Sequence, residues 1–252
     1  YLFVPVISNY QTYGNIDFGT VKGFTVQYDL RRVKNIEFRL AYTLQFADGT
    51  GSDANSSNGL TQRGNIRTLY PLNFDERHNI QAIIDYRYGS GKFYNGPRVF
   101  GADILSNFGI NIQTSAVSGR PYTSTIRADR FGGLGKTSAI NGSRKPWRLN
   151  VDLRVEKTFV LTAPGKKQMN MTVYFRVQNL LDARNVINVY SYTGSPTDDG
   201  FLASPQGQNT LALLAQERRN IPAYTDAYSW RLLDPNNYTQ PRRLFLGATF
   251  DF

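Results

Sequence analysis

The sequence predicts an all-β protein that supplies about seven or eight strands of an antiparallel transmembrane β-barrel, with long extracellular loops and one short helix. Three observations lead to this prediction. Apolar residues recur at every second position in seven segments of the chain. The charged residues of those segments fall on the opposite face of each strand, because strand side chains alternate between faces. The connections between the segments run alternately short and long, as they do in bacterial membrane barrels.

Composition excludes several other classes of protein. The 252 residues include no cysteine, which excludes a disulfide-stapled domain and a thiolate metal site. No run of about 18 apolar residues occurs, so no transmembrane helix is predicted. The mean hydropathy of −0.41 is compatible with membrane strands, since alternating strands average to near-neutral values. The net charge of +10 comes from scattered pairs of basic residues without interleaved stacking aromatics, so no nucleic-acid partner is predicted.

Each of the seven segments is about as long as a tilted strand that crosses a bilayer, roughly 9–11 residues. The fifth has the sharpest pattern: Leu149, Val151, Leu153 and Val155 alternate with Asn150, Asp152, Arg154 and Glu156. In chain order the segments are 24–31, 36–46, 80–88, 108–116, 149–156, 169–178 and 244–252.

Charged residues on the polar face favour a membrane barrel over a soluble sheet. A cationic side chain that faces lipid at mid-membrane costs about 2–4 kcal/mol. Several such penalties exceed the whole stability of a domain, about 5–15 kcal/mol. The charged face is therefore predicted to line a wet lumen. The predicted lumen-facing residues are Asp29, Arg31, Glu37, Arg39, Asp85, Arg87, Asp152, Arg154, Glu156 and Arg176.

The last strand has an uninterrupted apolar face, formed by Leu244, Leu246, Ala248, Phe250 and Phe252. In a soluble protein an exposed apolar edge strand would be an aggregation site. In a membrane barrel the same face contacts lipid. We therefore expect this strand to pair with the first strand of a barrel.

The long connections, residues 47–77, 118–147 and 179–242, are predicted to be extracellular loops. The connection 89–105 is longer than the alternation of short and long connections predicts. One helix is predicted inside the last loop, where Ser204 can cap the helix and Pro205 suits its first turn.

No motif predicts catalysis, a cofactor or a metal ion, and the protein is predicted not to be an enzyme. The segment 133–137 resembles the end of a phosphate-binding loop, but Arg130 stands where that motif needs glycine. His78 is the only histidine, so it can form neither a His-rich metal site nor a recognisable catalytic group. Asp198, Asp199 and Gly200 lack the spacing of a calcium loop and are interpreted as a solvated turn.

Several segments taken together resemble a known family. They are residues 18–24, 70–79, 118–123, 178–182, 192–200 and 243–252. In order and spacing they resemble the C-terminal part of TonB-dependent outer-membrane receptors of the Bacteroidetes type, from about Gly14 to the end of the chain. Residues 1–252 would then be the C-terminal portion of a single barrel domain, and the plug domain would not be part of this chain.

The resemblance implies a barrel of 22 strands in the cell outer membrane of a Gram-negative bacterium. It implies energy-coupled uptake of a ligand too large or too scarce for porins. The implied partners are outer-membrane lipid and lipopolysaccharide, the TonB system through the plug region, a surface lipoprotein or larger membrane complex, and the barrel-assembly machinery. The assembly signal would be Leu244, Leu246, Ala248, Phe250 and Phe252.

Two alternatives remain open from the sequence. One is a small, self-closed outer-membrane barrel of eight strands with a structural or adhesion role, in which Tyr1–Ile7 would form the eighth strand. The other is a soluble β-rich protein that binds carbohydrate or nucleic acid.

Overall fold

A computed structural model describes residues 15, 17–53, 68–137, 139–161 and 169–251 of the chain. In chain order its strands are β1 (Gly19–Val33), β2 (Ile36–Gly49), β3 (Tyr70–Pro71), β4 (His78–Arg87), β5 (Phe108–Val117), β6 (Pro121–Tyr122), β7 (Thr125–Asp129), β8 (Gly132–Lys136), β9 (Ser143–Arg144), β10 (Arg148–Leu161), β11 (Met169–Gln178) and β12 (Arg243–Asp251). The helices are α1 (Pro205–Gln216) and α2 (Ile221–Leu232), and short 3-10 turns lie at Gly91–Phe93 and Pro235–Asn237.

Seven long strands form one antiparallel meander in the order β1-β2-β4-β5-β10-β11-β12, and the short β3 adds to β2. The pairs β6–β9 and β7–β8 form two small sheets within the loops. The prediction of an all-β antiparallel protein is confirmed, and each of the seven predicted segments coincides with a long strand. Within the described residues, β1 and β12 are the two edges of the sheet. Tyr1–Ile7 and Phe252 lie outside the described residues.

The strand register places one row of apolar residues across the whole sheet. Each member is paired directly with the next on the neighbouring strand: Leu30, Phe38, Ile84, Ile112, Leu153, Val177 and Leu244. The row next to it, displaced by one residue on each strand, lies on the opposite face and is polar on the central strands. Its paired members are Glu37, Asp85, Asn111, Arg154 and Arg176. On β12 the partner of Arg176 is Phe245, so the sheet has one apolar face across its full width and an opposite face that is polar on the central strands.

The central strands leave apolar side chains exposed on one face and arginines exposed on the other, while the carboxylates between those arginines are better buried. Asp85 on the polar face of β4 is 9% exposed, whereas its neighbour Ile84 on the apolar face is 41% exposed. On β12, Leu244 and Leu246 are more exposed still. In a soluble sheet the apolar face is the one that is covered. This sheet leaves its apolar face uncovered within the described residues.

The described residues contain few buried apolar side chains. The only cluster of them lies outside the sheet, where Phe201 packs against Tyr228 and Leu232 of α2. No second layer covers the apolar face of the sheet within the described part of the chain, because neither helix packs extensively against a long strand. Helix α2 contributes its buried residues to the loop cluster.

The predicted helix is confirmed as α1, where the Ser204 hydroxyl accepts a hydrogen bond from the backbone N–H of Gly207 at 3.1 Å. The sequence analysis missed α2, which begins with the same kind of cap. The Asn220 side chain accepts from the Ala223 N–H at 3.1 Å, and Pro222 stands in the first turn.

Among the described residues, neither helix has the length and apolar character needed to span a bilayer.

Candidate functional site

Ion pairs link β1, β2 and β4 across the polar face. Glu37 accepts from Arg39 at 2.9 Å and from Arg32 at 3.1 Å. Arg32 also pairs with Asp85, and Arg39 lies 3.7 Å from Asp29. Cross-strand opposite charges stabilise a sheet and hold its polar face in one arrangement.

A β-bulge brings Arg32, rather than Arg31, into this network. The register of β1 against β2 shifts by one residue between Leu30 and Val33. A bulge of this kind inserts one extra residue and changes the alternation of side chains. Arg32 was not singled out from the sequence, while Arg31 lies at the bulge and is exposed.

The ladder of charges continues onto β10 and β11. Glu156 accepts from Arg87 at 2.6 Å and from Arg154 at 2.8 Å. The Arg154 guanidinium also lies 4.7 Å from the centre of the Tyr174 ring. Arg176 stands opposite Arg154 in the register. The same face therefore holds the predicted charges of β4, β10 and β11, and their orientation towards a lumen stays a prediction.

Asp152 has a different role, since it fixes the start of the last loop. Its carboxylate accepts the backbone N–H of Asn179 at 2.9 Å and the Asn150 side chain at 2.9 Å. Asn179 adopts a left-handed φ of 53°, which asparagine tolerates better than most residues. The chain leaves β11 at this point, and its next residue, Leu180, donates to the Val151 carbonyl at 2.6 Å.

A buried acid anchors the loop end of the sheet. Asp75 is fully buried, and its carboxylate accepts the Ala47 N–H at 2.9 Å and pairs with Arg144 and, at 3.5 Å, with Arg77. Arg144 also donates to the Asp75 carbonyl at 2.8 Å. This carboxylate joins β2, the segment before β4, and β9.

The adjacent Glu76 holds two further arginines. Its Oε1 accepts from Arg120 at 2.7 Å and also from Arg148. The sequence analysis quoted this segment only for its family resemblance. The signal in the sequence was a pair of adjacent carboxylates before a strand. The two arginines that contact Glu76 lie 44 and 72 residues further along the chain, so the sequence did not indicate them.

The polar face and the last loop line an open cavity of about 550 Å³. Its polar lining includes Arg148, Asn150, Asp152, Gln178, Asn185 and Arg243. Asn185 fixes the loop wall, because its side chain both accepts from the Leu149 N–H and donates to the Leu149 carbonyl, each at 2.7 Å. Amide and guanidinium groups of this kind bind ligands through hydrogen bonds.

The loop layer is organised around Asp199, which was interpreted as part of a solvated turn. That interpretation is wrong for Asp199, which is fully buried. Its carboxylate accepts the N–H groups of Phe131 at 2.8 Å and Phe201 at 2.9 Å, and the hydroxyl of Tyr228. Burial and the Asp199 carboxylate raise the pKa of the Tyr228 phenol, so it remains a hydrogen-bond donor.

His78 belongs to an aromatic row on the apolar face. It stacks between Tyr42, at 6.1 Å between ring centres, and the exposed Trp147, at 5.6 Å. The Tyr42 hydroxyl and His78 Nδ1 are 2.9 Å apart, and Phe24 packs edge-on against Tyr42. The row follows the loop end of β1, β2 and β4.

Within the described residues, no group of three or more His, Cys, Asp or Glu side chains is arranged to hold a metal ion. No family model, no curated protein and no solved structure matches this chain. The proposal of a function therefore rests on the two faces of the sheet, the ion pairs and the cavities.

Proposed function

We propose that this chain forms part of the wall of an outer-membrane β-barrel that transports a ligand by energy-coupled uptake. One observation carries the proposal: the sheet leaves its apolar face uncovered within the described residues, while its opposite face holds a network of ion-paired charges. Water would oppose that arrangement, because exposed apolar area costs about 25 cal/mol per Å². Lipid on the apolar face and water on the charged face remove the conflict.

The aromatic row of Phe24, Tyr42, His78 and Trp147 supports the membrane assignment. Tyrosine and tryptophan concentrate at the two interfaces of a bilayer, where their rings contact lipid and their polar atoms contact water. Trp147 is 54% exposed on this face at the end of the sheet that carries the long loops. The row therefore suits the outer interface of the membrane.

The two edges of the described sheet support a larger barrel. A membrane sheet needs a partner for every edge strand, since an unpaired backbone group in lipid costs several kcal/mol. In the proposed barrel, β1 and β12 pair with strands outside the described residues. The family resemblance stays a prediction. If it holds, the seven long strands supply about a third of a 22-strand wall, and β12 is the strand offered to the assembly machinery.

The cavity of about 550 Å³ favours transport over a purely structural or adhesion role. It opens on the polar face of β5, β10, β11 and β12, where a ligand would meet the barrel lumen. Adhesion would use the outer surface of the loops and would require no such space behind them.

Transport is tested by comparing the native host with a strain that lacks the protein. We expect the protein in the outer-membrane fraction, and we expect the deletion strain to leave at least one solute of a complex medium unconsumed. Collapsing the proton gradient in the parent strain should reproduce that loss, while uptake of a solute small enough for porins should persist across the outer membrane. An outer-membrane protein whose deletion changes the uptake of no solute would instead favour the structural or adhesion barrel.

A further inference from the structure

A second, smaller cavity of about 340 Å³ adjoins the first at the loop end of the sheet. The two cavities share Arg148 and Ile187 in their linings. The smaller one is also lined by Arg120, Lys145 and Asn188. Three of its lining side chains are therefore cationic.

Positive charge is in excess around this cavity. Glu76 is the carboxylate that contacts Arg120 and Arg148, and both arginines share its single Oε1 atom. The neighbouring carboxylate, Asp75, is already paired with Arg144 and Arg77. Among the described residues four arginines thus contact these two carboxylates and Lys145 contacts neither, so five cations and two carboxylates leave a net charge of about +3.

Lys145 is the cation of this cavity whose charge is least neutralised by carboxylates. Its ammonium group donates to the carbonyl of Ile187 at 2.5 Å, and no carboxylate lies within ion-pair distance of it among the described side chains. Burial lowers the pKa of Lys145, and the positive charges of Arg120 and Arg148 lower it further. A lysine in this position is stabilised by an added anion.

The backbone holds Lys145 in place against the cavity. A Cβ atom on Gly119 would lie only 1.7 Å from the carbonyl oxygen of Lys145, so only glycine allows the two segments to approach so closely. The Lys145 N–H also donates to the Arg120 carbonyl at 3.0 Å. The cationic groups are therefore carried on paired backbone segments rather than on a free loop.

We propose that the smaller cavity binds the anionic group, a carboxylate or a phosphate, of a soluble ligand whose uncharged polar part lies in the larger cavity. Arg120, Lys145 and Arg148 hold the anion through charge-assisted hydrogen bonds. The amides of Asn150, Gln178 and Asn185 suit hydroxyl or amide groups on the remainder. The inference that the ligand is a soluble molecule rests on the proposed function, in which the polar face contacts water.

Inorganic phosphate and a hexose phosphate are suitable probes, measured by calorimetry on the intact protein in detergent at constant ionic strength. We expect phosphate to bind more tightly than chloride, and the hexose phosphate to bind more tightly than inorganic phosphate. Lys145→Met should weaken phosphate binding by at least about tenfold, the expected loss of one charge-assisted hydrogen bond. Lys145→Arg should largely retain binding.

Lys157 offers a matched control, because it also donates its ammonium group to a backbone carbonyl, that of Ile104, but lies outside both cavities. Lys157→Met should leave phosphate binding unchanged. Equal binding of phosphate and chloride, or equal losses in the Lys145→Met and Lys157→Met variants, would overturn the proposed site.

Three further outcomes test the source of the anion and separate this inference from the proposed function. If lipopolysaccharide competes with free phosphate for the site, the ligand is not a soluble molecule, and the site binds the phosphate of a lipid instead. Phosphate binding in a protein whose deletion changes no uptake would support the site and contradict transport. Uptake that depends on the protein, without any binding of the anionic probes, would contradict only the site.

Discussion

Replacing Ile84 by arginine should lower the free energy of unfolding in a bilayer by about 2–4 kcal/mol, whereas Ile83→Arg should lower it by much less. Ile84 belongs to the apolar row, between Phe38 and Ile112. Ile83 is its chain neighbour on the other face, opposite Arg39. An arginine at position 84 would face lipid, and one at position 83 would face the polar side.

This pair of variants distinguishes an effect of lipid contact from an effect of solvent exposure alone. The two isoleucines are similarly exposed in the described structure, 36% for Ile83 and 41% for Ile84. In water the two substitutions would therefore have similar effects. Urea unfolding of protein folded into vesicles measures the difference. Equal losses for the two variants would contradict the assignment of the apolar face to lipid.

Asp75→Asn should reduce stability by about 3–5 kcal/mol, because it removes the buried charge that pairs with Arg144 and Arg77. Asparagine can still accept the Ala47 N–H through its side-chain oxygen. The loss would therefore come mainly from the uncompensated arginines. Unfolding curves measured by tryptophan fluorescence give the change in free energy.

Asp103→Asn is the matched control for Asp75→Asn. Asp103 pairs with Arg98 at 2.8 Å, but the Arg98 side chain is 65% exposed, and exposed pairs contribute less than about 1 kcal/mol. If Asp75→Asn costs no more than Asp103→Asn, the buried acid is not the anchor of the loop end.

The long strands could be predicted because their pattern repeats over enough residues to outweigh local exceptions. In β10 the alternation of Leu149, Asn150 and Val151 continues along the strand, and one misplaced side chain would not hide it. Helix α1 was predictable for a different reason, since Ser204 and Pro205 are local signals that need no tertiary partner.

The parts that escaped prediction depend on contacts between distant segments. A one-residue bulge exchanges Arg31 for Arg32 in the ion-pair network, and the sequence carries no marker of that bulge. Asp199 looked like a turn residue because two of its donors, the Phe131 N–H and the Tyr228 hydroxyl, lie 68 residues before it and 29 residues after it. Burial of a carboxylate cannot be recognised until those donors are brought together.

The cationic cavity illustrates the same limit. Arg120, Lys145 and Arg148 belong to the loop before β6 and to the segment that enters β10, and the sequence shows them as unrelated basic residues. Their meeting follows from the pairing of β6 with β9 and of β5 with β10. Only the assembled sheet shows that these three cations line one cavity and that two of them contact a single glutamate.

The central claim is that one face of this sheet contacts lipid and the other contacts water, and a cysteine scan of β4 tests it most directly. The chain has no cysteine of its own, so single spin labels can be placed at positions 79 to 84 without a background signal. In vesicles we expect labels at positions 80, 82 and 84 to collide mainly with oxygen, which concentrates in lipid. Labels at positions 79, 81 and 83 should collide mainly with a water-soluble nickel complex. A scan without this period of two, or with its phase reversed, would contradict the claim.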